Sequence, residues 1–326
     1  MRNHRALVLF TTAGILFVAV AIVTFNNMDL SLILGQLTVS NALVNVGLAI
    51  AFFVSFGMTM RVSFRQQYKL HLAPSDVITL PIMMHLFTYI IPIKGGLLFQ
   101  VFYIRHKYKL ELSKSFSLGI TTFMVSVFLT VVIGLGLSLQ LQLNTDILPS
   151  VFGIIGFGLV TLPIILWLLP KQSAHFEGTI YKLLRFLIDL RNELLSQIKN
   201  LRLVTGLLLT GLISILIQSL WFWQSATVLG IEADLNLVIL VVLILRIILL
   251  VRLLPGNLGI QELMIGGVFL MAGFSIEEGL AVALLTRLVS VFLAATIGLI
   301  GLYSNLQYYE SRKLSALTKT VAKTTS

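Results

Sequence analysis

Arg252-Leu253-Leu254-Pro255-Gly256-Asn257-Leu258-Gly259-Ile260-Gln261-Glu262 sets two charges, a proline and two glycines between the apolar runs 236–251 and 263–274. Proline cannot continue a helix, glycine admits turns closed to other residues, and asparagine can bond its own backbone, so the chain is expected to reverse here. Irregular backbone at membrane depth is tolerated only when it is buried in protein or lines a wet cavity. The stretch therefore predicts a re-entrant helical hairpin around a polar pocket. The alternative is a short outer loop between two ordinary spans.

The rest of the chain supplies the membrane. Of its 326 residues 57% are hydrophobic and only 11% charged, and the mean hydropathy is +0.99, which excludes an ordinary globular domain. The absence of cysteine removes disulfides, thiolate metal sites and cysteine nucleophiles. A net charge of +10 in a soluble chain would suggest nucleic acid; here it has to be sorted by side of the membrane, and no nucleic-acid partner is expected.

Full-length apolar runs occur at about 6–25, 38–60, 115–140, 147–169, 203–229 and 279–303. The first follows Arg2 and Arg5 and could be a signal peptide, but it stays apolar past the small residues Ala19 and Ala21, so an uncleaved span is expected. Two further apolar regions, 75–110 and 236–274, are interrupted, the first at Ile91-Pro92-Ile93-Lys94-Gly95-Gly96. Cytoplasmic loops retain Lys and Arg. Segments 1–5, 61–73, 105–114, 171–202 and the end beyond 303 hold two, three, four, six and four of the 23 basic residues, whereas loops 26–37, 141–146, 230–235 and 275–278 hold none. Those basic-free loops carry Asp29, Asp146, Glu232, Asp234, Glu277 and Glu278. This split requires both termini inside, with 75–110 entering from and returning to the cytoplasm and 236–274 doing the same from outside.

The halves also match in spacing: Pro92 and Gly96 lie 163 positions before Pro255 and Gly259. The expected fold is thus all-α, a polytopic integral membrane protein of about six full spans plus two oppositely oriented re-entrant hairpins, an inverted repeat of the kind that places a site at the midplane. Residues 1–310 form one transmembrane domain, with a first repeat at about 38–140, a second at about 203–303, and an amphipathic cytoplasmic linker at 170–202. Residues 311–326 read as a basic disordered tail.

Outside the loops remain four cations, Lys94, Arg246, Arg252 and Arg287, against one membrane-depth acid, Glu262. Charges in hydrocarbon are costly and face the protein interior, so a cavity with this balance favours an anion. Gly95, Gly96 and Gly259 stand where the second arm of each hairpin begins, and the N–H groups of a first helical turn suit phosphate or carboxylate. Glu262 suits that end of its helix and is expected to pair with Arg287; the pair could equally be structural. Arg246 could snorkel to an interface instead, Lys94 could satisfy nearby carbonyls, and His85 reads as a packing residue. Trp221, Phe222 and Trp223 read as an interfacial belt, and Ser75 and Asp76 as a helix cap after Pro74. No nucleophile constellation, metal spacing, Walker loop or dinucleotide fingerprint is present, so neither a cofactor nor catalysis is expected.

Leu254-Pro255-Gly256-Asn257-Leu258-Gly259-Ile260-Gln261-Glu262 resembles the Pro-x-Pro-Gly-Gly-x-Gly-x-x-Glu type signature of the flippase-like transmembrane region of lysylphosphatidylglycerol synthetases, and Pro92-Ile93-Lys94-Gly95-Gly96 with Arg105 resembles its first hairpin. Asn257 stands where that family usually has glycine, and Leu97 and Leu98 follow Gly96 where it often has an acid. The resemblance implies lipid movement across a bacterial or archaeal plasma membrane and implicates Pro255, Gly256, Gly259, Glu262, Lys94 and Gly96. The expected ligand is a phospholipid or polyprenyl-phosphate lipid, anionic or zwitterionic. An accessory subunit presenting a lipid-linked substrate to a membrane transferase partner is the alternative.

Overall fold

In a computed structural model, residues 38–91, 95–140, 147–168, 179–248, 255–257 and 259–305 are described. The expected first span at 6–25, Pro92, Lys94, Arg252 and the tail lie outside them. The described residues are nearly all helical, with no strand among them.

Helix α1 (Val39–Tyr68) starts where the Thr38 hydroxyl accepts from the Asn41 N–H at 3.2 Å and stops at left-handed Lys69. Then follow α2 (Pro74–Ile90), α3 (Gly95–Tyr108) and α4 (Leu112–Gln140). Two further helices, α5 (Ile147–Leu168) and α6 (Thr179–Lys199), lead to α7 (Leu201–Val228). Beyond lie α8 (Leu235–Ile248), a single 3-10 turn (Pro255–Asn257), and α9 (Ile260–Met271). The last helix, α10, begins at Ile276, passes through a π-helical stretch at Ala294–Gly298, and continues to Asn305. Its start is fixed by Ser275 and Glu278, each of whose side chains bonds the other's backbone N–H, at 3.2 and 2.7 Å.

Four of these helices, α1, α4, α7 and α10, are long and apolar enough to cross a membrane, at 30, 29, 28 and 30 residues. Helices α2, α3, α8 and α9 have 17, 14, 14 and 12 residues. At 1.5 Å per residue they reach only about 18–26 Å, short of a hydrocarbon core of about 30 Å. From α1 to α4 and again from α7 to α10 the order is long, short, short, long. The packing repeats it. Helices α1 and α7 form the most extensive interface, and each half's first short helix lies on the other half's last long one, α2 on α10 and α8 on α4.

Small residues set these approaches. Gly298 and Gly301 of α10 face Ile82, Thr79 and Met83 of α2. At the α1–α2 crossing a Cβ on Gly57 would lie 1.8 Å from the Val77 carbonyl oxygen, so backbone meets backbone. Gly57→Ala is expected to cost about 1–3 kcal/mol by forcing the helices apart. Gly47, on the same helix with nothing within 4 Å of a Cβ, tolerates alanine; thermal melting of the two variants in detergent checks the contrast.

Helix α8 is buried from Leu240 through Leu245 without a gap, as expected of a helix that is hydrophobic all round. Helix α6 carries the amphipathic linker. Its C-terminal half packs on the bundle: Leu190, Leu194 and Gln197 are buried, and Gln197 accepts from Thr121 at 2.5 Å and donates to Ser117 at 2.8 Å on α4. The expected aromatic belt is corrected here. Trp221 and Phe222 are core residues, both 3% exposed, because neighbouring helices cover them, Trp221 packing on Phe52 of α1 and Phe222 joining the core around α8; Trp223 alone of the three is exposed.

Candidate functional site

The break before α9 turns on backbone that other residues avoid. Gly256 has φ +60°, Asn257 φ +50° and Gly259 φ +81°, three left-handed residues within four positions, of types that adopt that region at little cost. The carboxylate of Glu262, three residues on, closes the exposed start of α9 by accepting from the Gly259 N–H at 2.9 Å, where the helix dipole favours negative charge. That N–H is therefore already satisfied from within the chain, contrary to the expectation that it would face a ligand.

Arg287 on α10 completes the arrangement. Its Nε lies 2.6 Å from Glu262 Oε1, and its Nη2 donates to the Gly256 carbonyl at 3.1 Å and to Gln261 Oε1 at 3.2 Å. The pair expected between Glu262 and Arg287 thus forms, and the arginine holds both sides of the break. Both residues are buried. Beyond the Nε that faces Glu262 in the ion pair, three polar atoms here lack hydrogen-bond partners among the described residues: Arg287 Nη1 and both side-chain atoms of Asn257, which is only 2% exposed. Buried polar atoms are normally satisfied, so the break offers two donors and an acceptor to something further.

The break also touches the first half. A Cβ on Gly256 would lie 2.4 Å from the ring of Tyr89, in the last turn of α2. Tyr89 packs edge-on against His85 at 5.0 Å, and His85 against Phe53 at 5.3 Å, which fits the packing role expected of that histidine. Gly95 and Gly96 open α3 but face α2, where Cβ atoms would meet the Phe87 and Met84 carbonyl oxygens at 2.6 and 2.5 Å; they set close packing of the two arms. Arg246 stands apart from the Glu262 network, with hydrogen bonds to Ser126 and Ser214. An open concavity of about 390 Å³ lies elsewhere, lined by Arg105, His106, Lys109 and Glu111, about 20 Å along α3 from Gly95.

Asp76 was misread as a cap. Ala73, whose side chain makes no capping bond, holds the N-cap position; Asp76 is instead 2% exposed and bound across the arms. Its carboxylate accepts from Lys107 at 2.6 Å, from Tyr103 at 2.9 Å and from Tyr108, while the Tyr103 hydroxyl also lies 2.9 Å from Asn305 Oδ1 at the end of α10 and shares its one hydrogen between the two acceptors. The signal available in the sequence was the Tyr103, Lys107 and Tyr108 spacing on one arm opposite an acid on the other. Asp76→Ala strips three donors of their acceptor, and is expected to cost about 2–3 kcal/mol while leaving the Glu262–Arg287 pair intact; thermal melting checks it.

These features define a multi-pass helical membrane protein in which a buried glutamate–arginine pair closes the turn that opens α9. The family described as the lysylphosphatidylglycerol synthase TM region matches residues 6–298, and the chain belongs to it. That membership ties its role to membrane lipid. No curated protein and no solved structure matches the chain.

Proposed function

We propose that the chain translocates a lipid carrying a phosphate head group, a phospholipid or a polyprenyl phosphate, between the leaflets of a bacterial or archaeal plasma membrane. In this reading α2–α3 and α8–α9 are re-entrant hairpins entering from opposite faces, both termini are cytoplasmic, and the two halves are an inverted repeat. The short lengths of the four arms and the exchange of packing partners between halves support it. The observation that carries it is the helix break sealed by Glu262 and Arg287, with Asn257 and Arg287 Nη1 still unsatisfied beside it. The head group would bond these atoms and borrow Arg287 from Glu262, and rocking of one half against the other would change which leaflet the break serves. Lys94 and Arg252 would add to the positive balance along the path.

The test uses purified protein in phosphatidylcholine vesicles carrying a trace of fluorescent head-group-labelled phosphatidylglycerol. Chemical quenching from outside should reach the inner-leaflet label faster than in protein-free vesicles, and Arg287→Gln should lose at least about tenfold of that rate, the cost of one charge-assisted contact. Rates equal to those of empty vesicles would refute translocation of this lipid class.

A further inference from the structure

Arg246 is the charge that the Glu262–Arg287 site leaves unexplained. It is the twelfth residue of α8, about 16 Å along it from Leu235. Its partners fix its depth independently of any topology. Ser126 lies at the midpoint of the 29-residue α4 and Ser214 at the middle of the 28-residue α7, both helices long enough to span. Arg246 thus sits near the bilayer centre and does not snorkel to a surface. A cation there is costly even on lenient insertion scales. No carboxylate pairs with it among the described residues, where Arg287, Lys107 and Lys114 each have one.

Its surroundings are arranged for a missing negative charge. Nη1 donates to Ser126 Oγ and Nη2 to Ser214 Oγ, each at 3.1 Å, and buried Nε has no partner among the described residues. A serine that accepts in this way keeps its own hydrogen to donate. Nearby hydroxyls spend theirs on helix carbonyls: Thr130 on that of Ser126 and Ser219 on that of Ile215. Ser126 and Ser214 show no such bond among the described residues and turn to the arginine instead. Three donors, Nε–H and two hydroxyls, therefore converge around one uncompensated positive charge, on helices α4, α7 and α8 drawn from both halves.

We infer that Arg246, Ser126 and Ser214 form an anion seat at the midplane, separate from the Glu262–Arg287 site, that takes a phosphate group: inorganic phosphate or the phosphate of a lipid head group. The seat rests on charge balance and does not depend on whether the chain moves lipids. Ligand binding to the folded state raises the thermal midpoint, which gives the test. Full-length protein in uncharged detergent is melted across a series of sodium phosphate concentrations at constant ionic strength, and separately with phosphatidic acid or phosphatidylcholine added to the micelles.

A rise with inorganic phosphate identifies a free anion; a rise with phosphatidic acid alone identifies a lipid phosphate. In an Arg287→Gln background, which removes the phosphate contact proposed at the break, either rise should vanish on adding Arg246→Met, and Arg246→Met alone should melt at or above wild type without ligand because an unpaired buried charge has gone. In the Ser126→Ala, Ser214→Ala double variant the apparent affinity should fall by about tenfold or more. A response lost on adding Arg246→Met to Arg287→Gln belongs to the seat, and one already lost in Arg287→Gln alone belongs to the break, so failure of the transport reading and failure of the seat are distinguishable. No rise with either probe, or a rise undiminished in the serine double variant, overturns the seat, and the serine variant decides it even if Arg246→Met does not fold.

Discussion

Glu262→Gln is expected to destabilise the protein by about 3–5 kcal/mol, the cost of stripping a buried charge of its partner, and to stop lipid translocation. The carboxylate serves two donors at once, the Gly259 N–H at 2.9 Å and Arg287 Nε at 2.6 Å. Glutamine has one acceptor oxygen, so its amide hydrogens must face one of those donors. Arg287, buried, is then left charged with only neutral partners. Adding Arg287→Met should restore most of the lost stability, since an apolar replacement of a buried pair is often neutral, without restoring transport. Melting curves in detergent and the vesicle assay read the two effects separately; an unchanged midpoint for Glu262→Gln would mean the pair does not hold the break.

Gly256→Val should have an effect of similar size by a different route. Its φ of +60° strains any residue with a Cβ by about 1–2 kcal/mol, and that Cβ would lie 2.4 Å from the Tyr89 ring, adding about 1–3 kcal/mol of overpacking. Tyr89→Ala in the same chain should relieve the second contribution and not the first. Gly259→Ala isolates the first, because its φ is +81° with nothing within 4 Å of a Cβ. A double variant no more stable than Gly256→Val alone would show that the break and α2 do not touch.

What could be read in advance follows from how few options certain residues have. A proline, two glycines and a carboxylate inside an apolar run leave little besides a chain reversal with a capped second arm, and a lone deep acid needs a cation, so the break and the Glu262–Arg287 pair were legible. Asp76 was not, because an acid two residues after a proline fits a cap equally well, and its true partners stand 27–32 positions away across a hairpin. Trp221 and Phe222 were misplaced for a related reason: residues near the end of a span meet head groups or core according to which faces the neighbouring helices cover, here α1 against Trp221 and the core around α8 against Phe222. The serines around Arg246 carry no mark in the sequence that separates them from helical serines bonded to their own backbone. Whether Gly259 offers its N–H outward depended on the Glu262 rotamer alone.

The absence of cysteine from all 326 residues allows a direct test of whether the two halves meet at the break and must part there. With Tyr89→Cys and Gly256→Cys introduced together, the contact now made by the ring and the glycine brings the two Cβ atoms to within about 5 Å, near the reach of a disulfide. In reconstituted vesicles, mild oxidation should link the pair and halt lipid translocation, and a thiol reductant should restore it. Failure of the two cysteines to link, or undiminished translocation by the linked protein, would contradict a transport path that opens between these halves.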